Sequence, residues 1–383
     1  MKIGIDTFGC DHGRSGIGSY ILSLAHNMPK TAHTIEFFGH ELDKYTYTSG
    51  LEGISYTGIS INDSKFAENL WHIRSFNAFA AKRKYDMVLF PAGVSTLPLH
   101  CKVPAVAVMQ SSIEDALPSV HPTLSLLLSK LRLASVKGII CPTEYIKNSL
   151  LSVGILESKI KVIPNGIDTS LFYPHAKQHT APLRIQPFAI QQPYIIYASR
   201  ISHPAKCHIE LITAFALFKQ KTKAPHRLVI AGAPGEGAEY IHQAVLNSPV
   251  CTDILLTGYF PHQHLPELYT AAELCIFPST AEGVGLSVIE AMACGIPTAC
   301  AHAGALPEIA GPCAYYFDPQ NPQEIAQAIE DLIEDPLHKN SARRKKIIDD
   351  GIAWVAKYRW QYTTQQTLTY ITELSQMKIK ETR

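Results

Sequence analysis

The sequence predicts an α/β protein made of two doubly wound parallel-sheet domains, and three observations predict it. The chain has 383 residues, more than one hydrophobic core usually organises. Short β-rich runs alternate with amphipathic stretches, the pattern of a parallel sheet covered by helices on both faces. The alternation lapses over residues 173–193, YPHAKQHTAPLRIQPFAIQQP, a Pro-, Gln- and His-rich segment without periodicity, and then restarts. The expected division is a first domain over 1–175, a linker over 176–193, a second domain over 194–358 and a final helical segment over 359–383.

Taken in order, KIGID, TIEFFG, DMVLFPA, PAVAVM, GIICPT and KVIPNG are the strand candidates up to residue 166. Amphipathic stretches near 17–28, 65–83, 123–136 and 143–153 separate several of them. After the linker the strands expected are YIIYAS, RLVIAG, DILLTG, ELCIFPS, PTACA and AYYFD, with helices notably at 206–221 and 264–272. From residue 322 onward the pattern is helical only, from QEIAQAIEDLIED to YRWQYTTQQTLTYITEL. Ligands of such sheets bind beyond the carboxyl ends of strands, so the cleft between the two halves is the expected site.

Composition narrows the function. The formal net charge is +1, and residues 1–175 carry sixteen Lys/Arg against fourteen Asp/Glu. Nothing in that balance points to nucleic acid. KRK at 82–84, with Lys130, Arg132 and Lys137, could form a lipid-facing patch, although a solvated helix face is the plainer reading. Nine cysteines, none in a C-x-x-C pair, suit small buried residues in a reducing compartment. MKIGIDTF lacks the charged and apolar regions of a secretory signal, and no apolar run reaches membrane-spanning length, so the expectation is a cytoplasmic protein.

The chemistry concentrates in STAEGVGLSVIEAMACG, residues 279–295. A glycine turn between a strand and a helix gathers unpaired amides, and the helix dipole favours an anion there by about 0.3–1 kcal/mol. Glycine lets a phosphate approach the backbone without a Cβ in the way. Glu282 and Glu290 would repel that phosphate, so they suit sugar or ribose hydroxyls, which donate to carboxylates. The alternative for the pair is an ordinary helix start with one exposed acid. In YIIYASRISHPAKC, Arg200 follows a strand and Lys206 opens a helix. Both could neutralise the charge that builds on a departing diphosphate, work often given to a metal held by D-x-D, which the sequence lacks. A pair of exposed loop cations is the alternative. DHGRSGIGSY at 11–20 is a third glycine turn, placed to contact phosphate or acceptor through Gly16 and Gly18, though short of a full dinucleotide fingerprint.

Together these segments resemble the retaining GT-B glycosyltransferases of family 4, in the expected order and over nearly the whole chain. SGIGSY resembles the glycine loop of the first domain, and KIKVIPNGIDTSLFYP the segment that closes it. SRISHPAKCHIELITAFALF resembles the Arg/Lys element, and PSTAEGVGLSVIEAMACGIPTACAHAGALPEIAG the donor signature with its E-x7-E spacing. The resemblance implies two Rossmann-like domains facing across a cleft, with YRWQYTTQQTLTYI packing back on the first. It implies that Glu282 and the backbone of Gly283, Val284, Gly285 and Leu286 hold donor sugar and phosphate. Glu290 would hold the ribose, and Arg200 with Lys206 the diphosphate. The activity implied is transfer of a hexose-type sugar, with retention and without metal, to a glycan or lipid-linked glycan. The donor would be UDP- or GDP-linked, and the enzyme cytoplasmic with room for peripheral association at the inner membrane face.

Three positions depart from that pattern. AVAVMQSS puts Gln110 where His commonly ends a strand; Gln can contact a sugar hydroxyl but cannot become cationic, and His121 is a conceivable substitute. Cys207 stands where Asn or Gly is common, and Ser15 where the loop often has its first Gly. Two rival readings stay open on sequence: a GT-B nucleotide-sugar epimerase, and a partner subunit that binds a nucleotide sugar without turnover.

Overall fold

The computed structural model describes residues 1–29, 33–116, 122–174, 183–185, 188–333 and 341–381. His121 lies outside them, as do parts of the linker. The chain divides into two compact units, Met1–Gly166 with Tyr358–Arg383, and Ile167–Lys357.

The first unit holds a seven-stranded parallel sheet. Its strands are β1 (Lys2–Asp6), β2 (Thr34–His40), β3 (Ile54–Ile59), β4 (Met87–Phe90), β5 (Ala105–Val108), β6 (Gly138–Cys141) and β7 (Ile160–Val162). They run in the order β3-β2-β1-β4-β5-β6-β7, each parallel to its neighbours. The central strands read as unbroken apolar runs because both faces are covered. β3, absent from the expected strands, is an edge strand whose residues are only partly buried, so ISYTGI carries little apolar signal. The stretch 65–83 is two helices, Lys65–Arg74 and Phe76–Arg83, broken at Ser75.

Early in the second unit, β8 (Leu183–Ile185) and β9 (Phe188–Ile190) form an antiparallel pair where no regular structure was expected. The second unit carries β10 (Tyr194–Ala198), β11 (Arg227–Ala231), β12 (Ile254–Leu256), β13 (Leu274–Phe277), β14 (Thr298–Ala301) and β15 (Tyr315–Phe317). All are parallel, in the order β12-β11-β10-β13-β14-β15. The first unit ends at Gly166 rather than 175. Phe172 explains the shift: it is buried in the second unit, its ring 5.1 Å from His262 and 6.3 Å from Tyr269.

The last helix, Trp360–Glu381, belongs to the first unit. Trp360, Leu368, Tyr370, Ile371 and Leu374 join the core formed by β1, β2 and helix Gly16–His26. Thr363 donates to the Pro164 carbonyl at 2.6 Å and Tyr370 to that of Lys159 at 2.8 Å. Gly166 is required there, since a Cβ would overlap the backbone of Trp360. No helix among the described residues is long and apolar enough to cross a membrane.

Candidate functional site

In the second unit the strand order reverses between β10 and β13, and the loops that follow those two strands therefore lie side by side at a topological switch point. The loop after β10 carries Arg200 and Lys206; the loop after β13 is the glycine turn. The two are sewn together by Thr280, whose amide and hydroxyl both donate to the Ala205 carbonyl, at 2.9 and 3.1 Å.

That stitching brings Lys206 onto Glu282. The ammonium lies 2.7 Å from Glu282 Oε2 and 3.3 Å from the Ala281 carbonyl, and both side chains are part-exposed. Glu282 Oε1 accepts from the amide of Gly285 at 3.2 Å. Gly285 takes a left-handed φ of 65° at the N-cap of helix Leu286–Ala293. Glu282 is itself fixed from outside the motif. Its carbonyl accepts from Ala305 N at 2.8 Å, and Gly304, at φ 59°, lets that chain approach: a Cβ there would lie 2.9 Å from the same oxygen.

Arg200 is exposed and forms no ion pair among the described residues. Gly235 leaves room beside its stem, because a Cβ there would come within 2.9 Å of Arg200 Cδ. Glu290 is buried on the helix, and its Oε1 meets His262 Nε2 at 3.0 Å. That hydrogen bond, with the charges of Glu290 and Asp168, raises the His262 pKa above its ordinary value. His208 behaves oppositely. Burial pushes it down to about 4, and it packs its ring 4.9 Å from Tyr197 behind the Arg/Lys loop. Cys207 holds φ 49° at the start of helix His208–Thr222, a left-handed position that Gly or Asn occupies at lower cost.

In the first unit, Gln110 follows β5. Its Oε1 accepts from Asn165 Nδ2 at 2.9 Å, while Gln110 Nε2 and Asn165 Oδ1 are buried without partners among the described residues. One donor and one acceptor are thus left unmatched next to each other. Ser15 caps helix Gly16–His26 by accepting from Gly18 N at 3.1 Å. Gly18 lacks a Cβ for an internal reason: the atom would sit 2.5 Å from Gly13 Cα and 2.8 Å from the Cys10 carbonyl. Gly16, by contrast, has open space before it. His262, Asn165 and Gly304 were not singled out from sequence. A loop histidine in PHQH, an Asn before Gly and a glycine 22 residues beyond Glu282 carry no local signal of their neighbours.

Residues 183–353 match the sequence family described as Glycosyl transferases group 1, and residues 14–171 match Glycosyltransferase Family 4. The chain is 30% identical over 177 residues to O-antigen chain mannosyltransferase B of Escherichia coli, covering 46% of this chain and 45% of that protein. It is 24% identical over 318 residues to Alpha-monoglucosyldiacylglycerol synthase of Streptococcus pneumoniae, covering 78% of this chain and 70% of that one. The chain therefore spans about half the length of the first of these relatives. Among solved structures, sucrose-phosphate synthase from Thermosynechococcus elongatus superimposes with a TM-score of 0.75 at 19% identity, over 98% of this chain and 99% of that one. Anabaena Alr3699/HepE in complex with UDP and glucose gives 0.73 at 18%, over 97% and 99%. At such identities these two report a shared fold.

Proposed function

The chain belongs to the group 1 glycosyltransferases of the family 4 type, with the GT-B fold, and we propose that it moves a hexose-type sugar from a nucleotide donor to a glycan or lipid-linked glycan with retention of configuration. The observation that carries this reading is the Lys206–Glu282 contact at the β10/β13 switch point, where a cation, a carboxylate and a glycine-started helix meet. Lys206 and Arg200 neutralise the diphosphate as the sugar–oxygen bond breaks, joined by the amides of Val284 and Leu286, since that of Gly285 is engaged by Glu282. Glu282 accepts from sugar hydroxyls and Glu290 from the ribose. The acceptor hydroxyl attacks the anomeric carbon and gives its proton to the departing phosphate oxygen, so no protein base and no metal enters the donor chemistry. In the first unit, Gln110, held by Asn165, is the residue assigned to a sugar contact.

The mannosyltransferase relative favours a glycan acceptor and the diacylglycerol relative a lipid one. A surface of the first unit supports the lipid-linked alternative. Helix Pro122–Ser135 exposes Leu124, Leu127, Leu128 and Leu131 at i, i+3, i+4 and i+7. Helix Lys65–Arg74 exposes Phe66, Leu70 and Ile73, and Arg132 donates to Asn69 of that helix at 3.4 Å. No Asp or Glu occurs between residues 116 and 143, where Lys130, Arg132 and Lys137 lie. The leucine stripe of helix Pro122–Ser135, in a segment with cations and no acids, suits an anionic bilayer.

The test is a thermal-shift panel of UDP-, GDP-, ADP- and dTDP-sugars, in which a donor at 100 times its Kd adds about 2.7 kcal/mol. The stabilising donor is then incubated with acceptor glycans, and the product's anomeric configuration is read by NMR. Inversion would overturn the retaining mechanism. Epimer formed from donor alone would identify an epimerase, and binding without turnover a partner subunit.

A further inference from the structure

The first unit holds a second cluster of chemistry that sugar transfer does not use. His40 ends β2, Asp63 lies in the loop after β3, and Glu68 sits in the first turn of helix Lys65–Arg74. Their ligand atoms all lie within 4.8 Å of one another. From this geometry we infer that His40, Asp63 and Glu68 bind a divalent transition-metal ion of the Zn²⁺ class, which clips the loops at the carboxyl edge of the first sheet.

The spacing fits an ion. Zn²⁺ ligands at about 2.0–2.2 Å in a tetrahedron stand about 3.3–3.6 Å from each other. His40 Nε2 is 2.9 Å from Glu68 Oε1 and 3.7 Å from Asp63 Oδ1, values that bracket that separation. An outer layer orients the ligands. His12 Nε2 contacts the other oxygen of Asp63 at 3.0 Å, and His12 Nδ1 meets Asp43 Oδ1 at 2.6 Å. A hydrogen bond to a ligating carboxylate from behind fixes its direction. The His40 ring is held edge-on by Phe8 at 4.8 Å, and Tyr56 donates to the His40 carbonyl at 2.6 Å.

Donor type chooses the ion. Asp43, Asp63 and Glu68 converge on the rings of His12 and His40. An imidazole beside two carboxylates suits Zn²⁺ better than Mg²⁺ or Ca²⁺, which take oxygen alone. Exposed Asp63 gives the ion a way in, and the fourth position falls to water. Because His12 lies in the loop that leads to helix Gly16–His26, the ion ties that glycine loop to β2 and to helix Lys65–Arg74.

The site stands apart from the donor reading, and its test reads metal directly. The full chain is stripped with chelator, and Zn²⁺ binding is followed by calorimetry, Co²⁺ binding by visible absorption. One ion per chain is expected, with the absorption of a four-coordinate site, and no response to Mg²⁺. Asp63→Asn, at an exposed position, and His40→Gln should each weaken binding about tenfold or more, and His12→Gln about 10–100-fold as an outer-layer change. Circular dichroism checks that each variant is folded. Absence of saturable one-to-one binding, or unchanged binding in folded Asp63→Asn, would overturn the site and leave a proton-linked ion-pair cluster.

Discussion

Lys206 and Glu282 neutralise each other at 2.7 Å, and this pairing sharpens what each substitution should do. Arg200→Ala and Lys206→Ala each remove a charge partner of the leaving group, which typically costs on the order of 10²–10³ in kcat. The change in donor KM should be smaller, because leaving-group charge is larger in the transition state. Acting on one diphosphate, the two losses should combine to less than their product. Initial rates at saturating acceptor decide it, and a near-wild-type kcat in either variant makes that residue a surface cation. Glu282→Gln should weaken the sugar-bearing donor yet hold or improve affinity for bare nucleoside diphosphate, since Lys206 is released. Glu290→Gln should weaken both, and equal effects on the bare nucleotide would contradict the roles assigned. His262 adds a pH dependence. Its pKa is raised in the folded chain, so the stability it contributes is complete below the unfolded value and fades as pH rises through the folded one. His262→Gln should therefore destabilise more at about pH 6 than at about pH 9, on either side of the ordinary imidazole range. Urea denaturation at the two pH values checks this.

Among the elements, the glycine turn and the leucine-bearing helix enter the proposed function in different ways. In the turn, left-handed Gly285 gives its amide to the Glu282 side chain, and left-handed Gly304 lets the Ala305 amide reach the Glu282 carbonyl. Helix Pro122–Ser135 is proposed to act through the leucines it leaves uncovered. Co-sedimentation with vesicles should be strong for anionic phosphatidylglycerol and weak for phosphatidylcholine. Leu127→Glu with Leu131→Glu should abolish it while leaving donor thermal shifts intact. Equal binding to both vesicle types, or none to either, would remove the bilayer as this helix's partner.

For the whole molecule, division into two units separates the tests. The proposed donor residues lie in Ile167–Lys357, while the proposed metal clip lies in the unit closed by the terminal helix. Chelation should leave donor chemistry intact. In the Asp63→Asn background, where the clip cannot respond, turnover in EDTA should equal turnover with added Mg²⁺ or Mn²⁺. Restoration of a lost rate by either ion would show that the diphosphate needs a metal and that Arg200 and Lys206 do not suffice.

The fold class was legible because a parallel sheet with both faces covered writes itself as apolar runs such as DMVLF and ELCIF. The glycine turn that starts helix Leu286–Ala293 was legible because glycines, acids and a helix start fall within 17 consecutive residues, 279–295. Edge strand β3 escaped because an edge strand needs no apolar run. The first unit's limit escaped because tertiary burial, that of Ile167 and Phe172 among it, moves residues 167–174 into the second. Side-chain partners were beyond local reading for the same reason: Lys206 and Glu282 are 76 residues apart, Gln110 and Asn165 are 55 apart, and His262 and Glu290 are 28 apart. Sequence alone determined which residues could carry charge and turn the chain, since those are properties of a residue and its neighbours. Only the tertiary structure decided which of them meet, since strand order sets that and strand order is a contest of packing across the whole sheet.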